Sequence, residues 1–330
     1  MTRPGAPDPP APAAIVARLR AARRVVVSSH ERPDGDAIGS GMALVLALRA
    51  QGVEARMAMC DVPPHYLQPF PGVDTLWITR EVTETFDAAV IMECSSLERT
   101  GVAGLDRSPV INIDHHPGNT GYGVERWIDE SAAACGEQAY ALVRALDAPF
   151  TPEVATHVYL AILTDTGSFH FSHLTPRTYE IAARCVEAGA DPEWIARTHY
   201  DSSSMGRVRL FGAVLSAMVV DPSGRIALLA LTPAMAAAAG GTYDDTEGLI
   251  NFPLSVQDVQ AVAFFKETAT PGEWRVSLRS KGATDVGAIA KARGGGGHRN
   301  AAGCSARGPL DEVRREFLAA LEAAVAAAAS

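Results

Sequence analysis

The sequence predicts an α/β chain: an N-terminal, doubly wound, mostly parallel sheet followed by a smaller α/β domain with a mixed sheet, the active-site cleft lying between them. Three observations predict it. Apolar runs at 25–27 and 88–92, and a third at 110–113 interrupted only by Asn112, read as parallel strands buried on both faces. Stretches of helical spacing separate these runs, as βαβ units require. From about residue 225 the pattern changes to strand, helix, strand, strand. With 330 residues, 47% of them hydrophobic, the chain is long enough to bury two cores.

Each element follows in order. Residues 1–13, rich in Pro and Ala, form a tail; 14–190 form the first domain, 191–220 a helical connector and 221–330 the second domain. After the strand at Val25, the residues Ile38, Met42, Val45, Leu46 and Arg49 share a helix face, and Gly52 ends it. A second strand covers 53–59. Helices are expected at 131–146, at 152–163 with Thr151 as N-cap and Pro152 at the first position, and at 176–188 between Thr175 and Gly189. Residues 191–219 have helical patterning broken at 201–204. Strands follow at 226–231, 259–267 and 274–279, with a helix from Pro233 after the first. Asp285 caps a helix to Arg293, ahead of Gly294, Gly295, Gly296, Gly297 and His298. Residues 310–328 form a terminal amphipathic helix.

Composition excludes several classes. A formal charge of −9 argues against a broad electrostatic footprint for long nucleic acid, although a local basic pocket is compatible with it. Cys60, Cys94, Cys135, Cys185 and Cys304 are scattered without C-x-x-C spacing, which speaks for a reducing compartment and against disulfides or structural zinc. There is no signal core and no apolar run long enough for a membrane span, so a cytoplasmic protein is expected.

The chemistry concentrates at strand ends. His30, Asp34 and Asp36 follow the first strand, Glu93 follows 88–92, and Asp114, His115 and His116 follow 110–113. In open α/β sheets the ligand crevice lies outside the carboxyl ends of such strands. Asp165 closes another apolar run. Taken singly, the Pro-Asp-Gly-Asp turn reads as a helix cap and adjacent histidines as structural. Taken together, convergent imidazoles and carboxylates suit a dinuclear site for a Mn²⁺-like cation. In the second domain the glycine run lets backbone N–H groups approach an anion, and Arg279, Lys281, His298 and Arg299 add donors suited to phosphate. His65, His157, His173 and His199 lack such company and read as structural.

These motifs resemble the DHH phosphoesterases, in the nanoRNase and pAp-phosphatase (NrnA-like) branch that joins a DHH domain to a DHH-associated substrate domain. The resemblance rests on His30 to Ala37, Glu93 to Gly101, Asp114-His115-His116, Thr164 to Gly167 and Gly295 to Gly303. It implies a phosphohydrolase with two divalent cations, Mn²⁺ foremost and Mg²⁺ or Co²⁺ as alternatives. It assigns His30 and Asp34 to one ion, Asp36, His115 and Asp165 to the other, and Glu93 to the bridge. The family position is usually Asp, so Glu93 is a departure. Asp114 and His116 become the catalytic pair, Asp114 orienting an imidazole and His116 meeting the scissile phosphate or leaving oxygen. Arg279, Lys281, Gly296, Gly297, His298, Arg299, Arg99 and His170 are the expected substrate contacts; His170 stands where some forms carry Arg. The expected substrates are very short single-stranded oligoribonucleotides and nucleotides, including pApA, pGpG and 3′-phosphoadenosine 5′-phosphate, with no long nucleic acid and no membrane partner. A homodimer is compatible with this reading. The rival readings are a pyrophosphatase or polyphosphatase, and a non-catalytic nucleotide sensor in which Glu93 has spoiled the metal site.

Overall fold

Runs of β-branched and small apolar residues build the first sheet of the computed structural model, which describes residues 10–170, 174–246 and 248–329. Its strands are β1 (Arg24–Ser28), β2 (Glu54–Met59), β3 (Trp77–Ile78), β4 (Ala88–Met92), β5 (Val110–Asp114) and β6 (Glu125–Ile128). All pair in parallel, in the order β3-β2-β1-β4-β5-β6. The order reverses between β1 and β4, so their carboxyl ends flank a topological switch point.

Alternation along each strand serves two cores. Val25, Val27, Val90, Met92, Ile111 and Ile113 face a helical layer. That layer comprises α1 (Ala13–Ala21), α2 (Gly35–Ala50), α3 (Cys135–Ala145), α4 (Pro152–Asp165), α5 (Pro176–Glu187) and α6 (Pro192–Tyr200). Val26, Ala89 and Ile91 face the other way, beneath Phe86, Val102 and Leu105 from loops and 3₁₀ turns. Two glycines set the distance between α2 and α4. A Cβ on Gly39 would lie 2.6 Å from the His157 carbonyl oxygen, and one on Gly35 2.4 Å from Thr164 Oγ1. Close helix approach thus carries the start of α2 to the end of α4, where Asp165 is the last helical residue rather than the first beyond it.

The helix expected from residue 131 begins at Cys135 instead. Ser131 is held in a turn by Asp129, whose Oδ1 accepts from its backbone N–H at 3.1 Å and its hydroxyl at 2.5 Å. The helix α1 and the short edge strands β3 and β6 had no clear sequence signal.

The chain divides into two compact units, residues 1–202 and 203–330. The second contains α7 (Met205–Ser216), β7 (Val219–Val220), β8 (Ile226–Leu231), α8 (Pro233–Ala239), α9 (Asn251–Leu254), β9 (Ala261–Glu267), β10 (Glu273–Ser280), α10 (Val286–Lys291), β11 (Gly296–Gly297), β12 (Ala301–Arg307) and α11 (Leu310–Ala329). Its mixed sheet runs β11-β12-β10-β9-β8-β7, with β8 and β9 parallel and the other neighbours antiparallel. Phe317 and Leu321 of α11 pack on Phe265, Val276 and Leu278, while Leu210 and Val214 of α7 cover Leu229 and Phe264 on the opposite face. Within the expected connector, α6 packs on α4 of the first unit and α7 on α8 and β8 of the second. No helix among the described residues is long and apolar enough to cross a membrane.

Candidate metal and phosphate site

Adjacent strands deliver the donors. His30 follows β1, Glu93 follows β4 and His115 follows β5, while α2 contributes Asp36 from its first turn. Two donor groups result, each with its ligand atoms within 4.8 Å of one another: His30 with Asp34 and Glu93, and Asp36 with His115 and Asp165. Glu93 also groups with His115 and His116. Its Oε2 lies 2.6 Å from His30 Nε2, and its Oε1 lies 3.3 Å from His116 Nε2 and 3.9 Å from His115 Nε2. The Glu93 backbone is left-handed, with φ 55°, and its N–H donates to the Ile113 carbonyl at 2.9 Å.

Hydrogen bonds fix the imidazole tautomers. His30 Nδ1 lies 2.8 Å from the Glu31 carbonyl oxygen and His115 Nδ1 lies 3.2 Å from that of Ala132. A carbonyl only accepts, so both Nδ1 atoms carry a proton and Nε2 is the ring nitrogen each imidazole turns to the site. A bare lone pair on His30 Nε2 against Glu93 Oε2 would set acceptor against acceptor, so that contact needs a proton or cation between them. Buried Glu93 Oε2 and His115 Nε2 make no well-formed hydrogen bond. His115 Nε2 instead faces Asp36 Oδ2 at 3.7 Å and Asp165 Oδ2 at 3.5 Å. Burial, then the charges of Asp165, Glu93 and Asp34, push the Asp36 carboxyl well above its ordinary range; burial and the Asp34 charge do the same to Glu93. Mixed nitrogen and oxygen donors, orphaned lone pairs and crowded buried acids fit divalent cations in both groups.

The acids differ in what else they hold. Asp34 caps α2, its Oδ1 accepting from Ala37 N–H at 3.0 Å, so the side chain that caps the helix is also a member of the His30 donor group. Asp36 caps α3: its oxygens accept from Cys135 N–H at 2.6 Å and Gly136 N–H at 3.0 Å. Asp114 serves His116 rather than the ring of His115, with Oδ1 2.9 Å from His116 Nδ1. Burial raises the Asp114 carboxyl, but hydrogen bonds from His116 and Asn119 outweigh it and hold the group below its ordinary value. For His116 burial works downward, and the Asp114 hydrogen bond with the Glu93 charge prevails, lifting it to about 9.

The remaining predicted contacts are more open. Arg99 sits in a 3₁₀ turn with Nη1 3.1 Å from Ser95 Oγ, and its carbonyl accepts from Glu31 N–H at 2.7 Å. His170 is exposed, just beyond Gly167, Ser168 and Phe169, which are all left-handed; Phe171 and His173 lie outside the described residues. In the second unit, Arg279 lies on β10 with Nη1 3.0 Å from the Leu278 carbonyl and pairs with no carboxylate among the described residues; burial lowers its pKa. Lys281 Nζ is held 2.6 Å from the Val256 carbonyl. Gly296, Gly297, His298 and Arg299 are exposed on the β11 to β12 turn. The glycines there also meet a packing need, since a Cβ on Gly297 would lie 2.5 Å from the Ala301 carbonyl oxygen.

His157 and His65 bond backbone carbonyls, of Pro71 at 2.7 Å and Ser202 at 3.1 Å, and His199 packs edge-on against Tyr66 and Tyr200. Sequence reading missed Asn119 and the N–H groups of Cys135 and Gly136. Only the proximity of Asn119 to His116 hinted at the first, and the others lie about a hundred residues from the acid they serve.

Residues 24–162 match the DHH family, N-terminal domain, and residues 231–327 match the DHHA1 domain. The bifunctional oligoribonuclease and PAP phosphatase NrnA of Thermus thermophilus is 34% identical over 300 residues, covering 90% of this chain and 89% of that protein. Its Bacillus subtilis namesake is 26% identical over 289 residues, with 85% and 88% covered. An exopolyphosphatase-related protein of Bacteroides fragilis superposes with a TM-score of 0.86 at 28% identity, covering 94% of both chains. This chain belongs to the DHH family, in its NrnA-like branch, and is a hydrolase of phosphoester bonds.

Proposed function

We propose that the protein is a Mn²⁺-dependent hydrolase that releases 5′-mononucleotides from very short oligoribonucleotides, pApA and pGpG included, and removes the 3′-phosphate of 3′-phosphoadenosine 5′-phosphate. The observation that carries this reading is the pair of donor groups at the switch point, with Glu93 placed between them. His30, Asp34 and Glu93 would hold one divalent cation, and Asp36, His115 and Asp165 the other. When bound, such a pair supplies positive charge that acidifies water and offsets charge on the attacked phosphate. His116, tied through Nδ1 to Asp114, keeps a proton on that nitrogen and presents Nε2 to the phosphate or the departing oxygen. Arg279, His298 and Arg299 of the second unit offer donors suited to phosphate or sugar groups, and the half-buried Arg279 guanidinium would gain an anion there. The names carried by the Thermus and Bacillus relatives support this substrate class.

The test is one panel: purified protein with Mn²⁺, Mg²⁺ or Co²⁺, given 5′-labelled two- to five-mers, longer RNA, 3′-phosphoadenosine 5′-phosphate and pyrophosphate. Two- to five-mers and the bisphosphate should turn over fastest, with Mn²⁺ the best metal. Preference for pyrophosphate, or no turnover with any metal, would overturn the proposal.

A further inference from the structure

We infer that Asn119 is a positioning residue that sets how His116 stands over Glu93. The inference rests on the reading of His116 as the group that meets the scissile phosphate or leaving oxygen.

Asn119 lies in the turn after β5, and its amide joins three parts of the site. Oδ1 accepts from Asn112 Nδ2 and from the Gly121 N–H, both at 2.8 Å. The Gly121 N–H is a donor in any protonation state, so the amide cannot be turned over without losing it. Nδ2 is thereby aimed at Asp114 Oδ2, 2.6 Å away, and at the Cys94 carbonyl, 3.3 Å away. Asn112 is fully buried in the middle of β5, a polar side chain between Ile111 and Ile113, and it is paired with Asn119. Asp114 is equally buried: its Oδ1 takes the His115 and His116 N–H groups and His116 Nδ1, leaving Oδ2 to Asn119.

With both oxygens held, the Asp114 carboxylate cannot rotate, and the His116 ring is fixed by Nδ1 with Nε2 toward Glu93 Oε1 at 3.3 Å. The contact with Cys94 links the same amide to the residue after Glu93. Thr120 N–H to the Ser95 carbonyl at 2.9 Å and the Tyr122 hydroxyl to the Cys94 carbonyl at 2.8 Å secure that link. One side chain therefore sets the spacing of groups carried by two neighbouring strands.

The substitution Asn119→Asp keeps the shape and reverses the interaction, placing a carboxylate oxygen against Asp114. The discriminating readout is the leaving group. Hydrolysis of pApA adds a water oxygen to phosphorus, breaks the bond to the ribose 3′ oxygen and requires a proton on that oxygen. A p-nitrophenyl ester of a 5′-nucleotide undergoes the same addition but releases p-nitrophenolate without needing that proton. Asn119→Asp and Asn119→Ala should lower kcat on pApA about 10- to 100-fold, with KM and bound metal near those of the parent, and should slow the aryl ester far less. His116→Asn should show the same discrimination, and adding Asn119→Asp to it should cost little more, because the two act as a unit.

Equal losses on both substrates in the Asn119 variants, with discrimination kept by His116→Asn, would overturn the positioning role and leave the reading of His116 standing. Equal losses on both in His116→Asn would overturn that reading, and the inference with it. Metal content and thermal midpoint of Asn119→Asp, if both match the parent, exclude a folding defect as the source of the loss.

Discussion

The two units hold their candidate functional groups in opposite ways. In the first, Asp36, Glu93 and Asp114 are buried; hydrogen-bond donors hold the carboxylates of Asp36 and Asp114, and the backbone N–H of Glu93 is bonded to the Ile113 carbonyl. In the second, His298 and Arg299 are exposed on a turn, and Lys281 bonds a main-chain carbonyl. Cation chemistry needs donors placed before the cation arrives, whereas a phosphate grip tolerates side chains that settle on contact. Pre-placed donor groups and exposed cationic side chains, the candidates for chemistry and for binding, are thus segregated along the chain.

The sharpest break of this comparison lies within one donor group. Asp165→Ala, at the end of α4, should reduce metal-dependent turnover by several orders of magnitude. Asp36→Ala should lose as much activity and also destabilise the first unit, because two buried N–H groups of α3 lose their acceptor at about 1–3 kcal/mol each. Urea unfolding and metal content of both variants check this. An Asp36→Ala midpoint equal to the parent's would show that capping α3 adds no measurable stability. Next in size comes Glu93. Glu93→Ala should cost orders of magnitude in rate and lower bound metal, whereas Glu93→Asp should keep measurable turnover. An Ala variant as active as the parent would remove Glu93 from the site.

Much of the first unit was legible because its polar motifs directly follow apolar runs, and a doubly wound topology puts His30, Glu93 and His115 at neighbouring strand ends. What was hidden depends on distance in the chain. The start of α3 is set by Asp36, a cap supplied from about a hundred residues away, so local pattern extended the helix to Ser131. The left-handed backbone of Glu93 is imposed by its seat between β4 and β5, and the residue type alone left open how an extra methylene would fit. In the second unit, β12 was missed because Ala301, Ala302, Gly303 and Ser305 carry no apolar alternation; pairing with β10 makes them a strand. For the same reason the glycine run gave the chemistry of a loop while concealing a packing role against β12.

A smaller effect should follow from loosening the second unit. Arg279→Ala or His298→Ala should weaken hydrolysis of dinucleotides about tenfold or more, the scale of one lost charge-assisted hydrogen bond. A minimal artificial phosphodiester, bearing no nucleotide for those residues to hold, should be cleaved nearly as before. Steady-state kinetics on the two substrates decide it. Parallel losses, with metal content unchanged, would mean that these side chains support the fold or the reacting centre and do not select nucleotides.

The smallest effect separates the units by acid sensitivity. His157 is fully buried on α4, its Nε2–H donating to the Pro71 carbonyl at 2.7 Å, and burial lowers its pKa from 6.5 to about 4. The unfolded chain binds a proton at this imidazole as the pH drops through about 6.5, while the native chain resists until about 4. Between those values the unfolded state holds more protons, so this residue's contribution to stability falls as the pH falls, by at most about 3 kcal/mol across the window. The second unit contains a single histidine, His298, which is exposed. His157→Gln, which keeps an amide donor for Pro71 and does not titrate, should be less stable than the parent at pH 7 and should close the gap toward pH 5. Urea midpoints of both proteins across that range, followed by a probe specific to the first unit, test the point; curves that stay parallel would show that His157 is not the group being protonated.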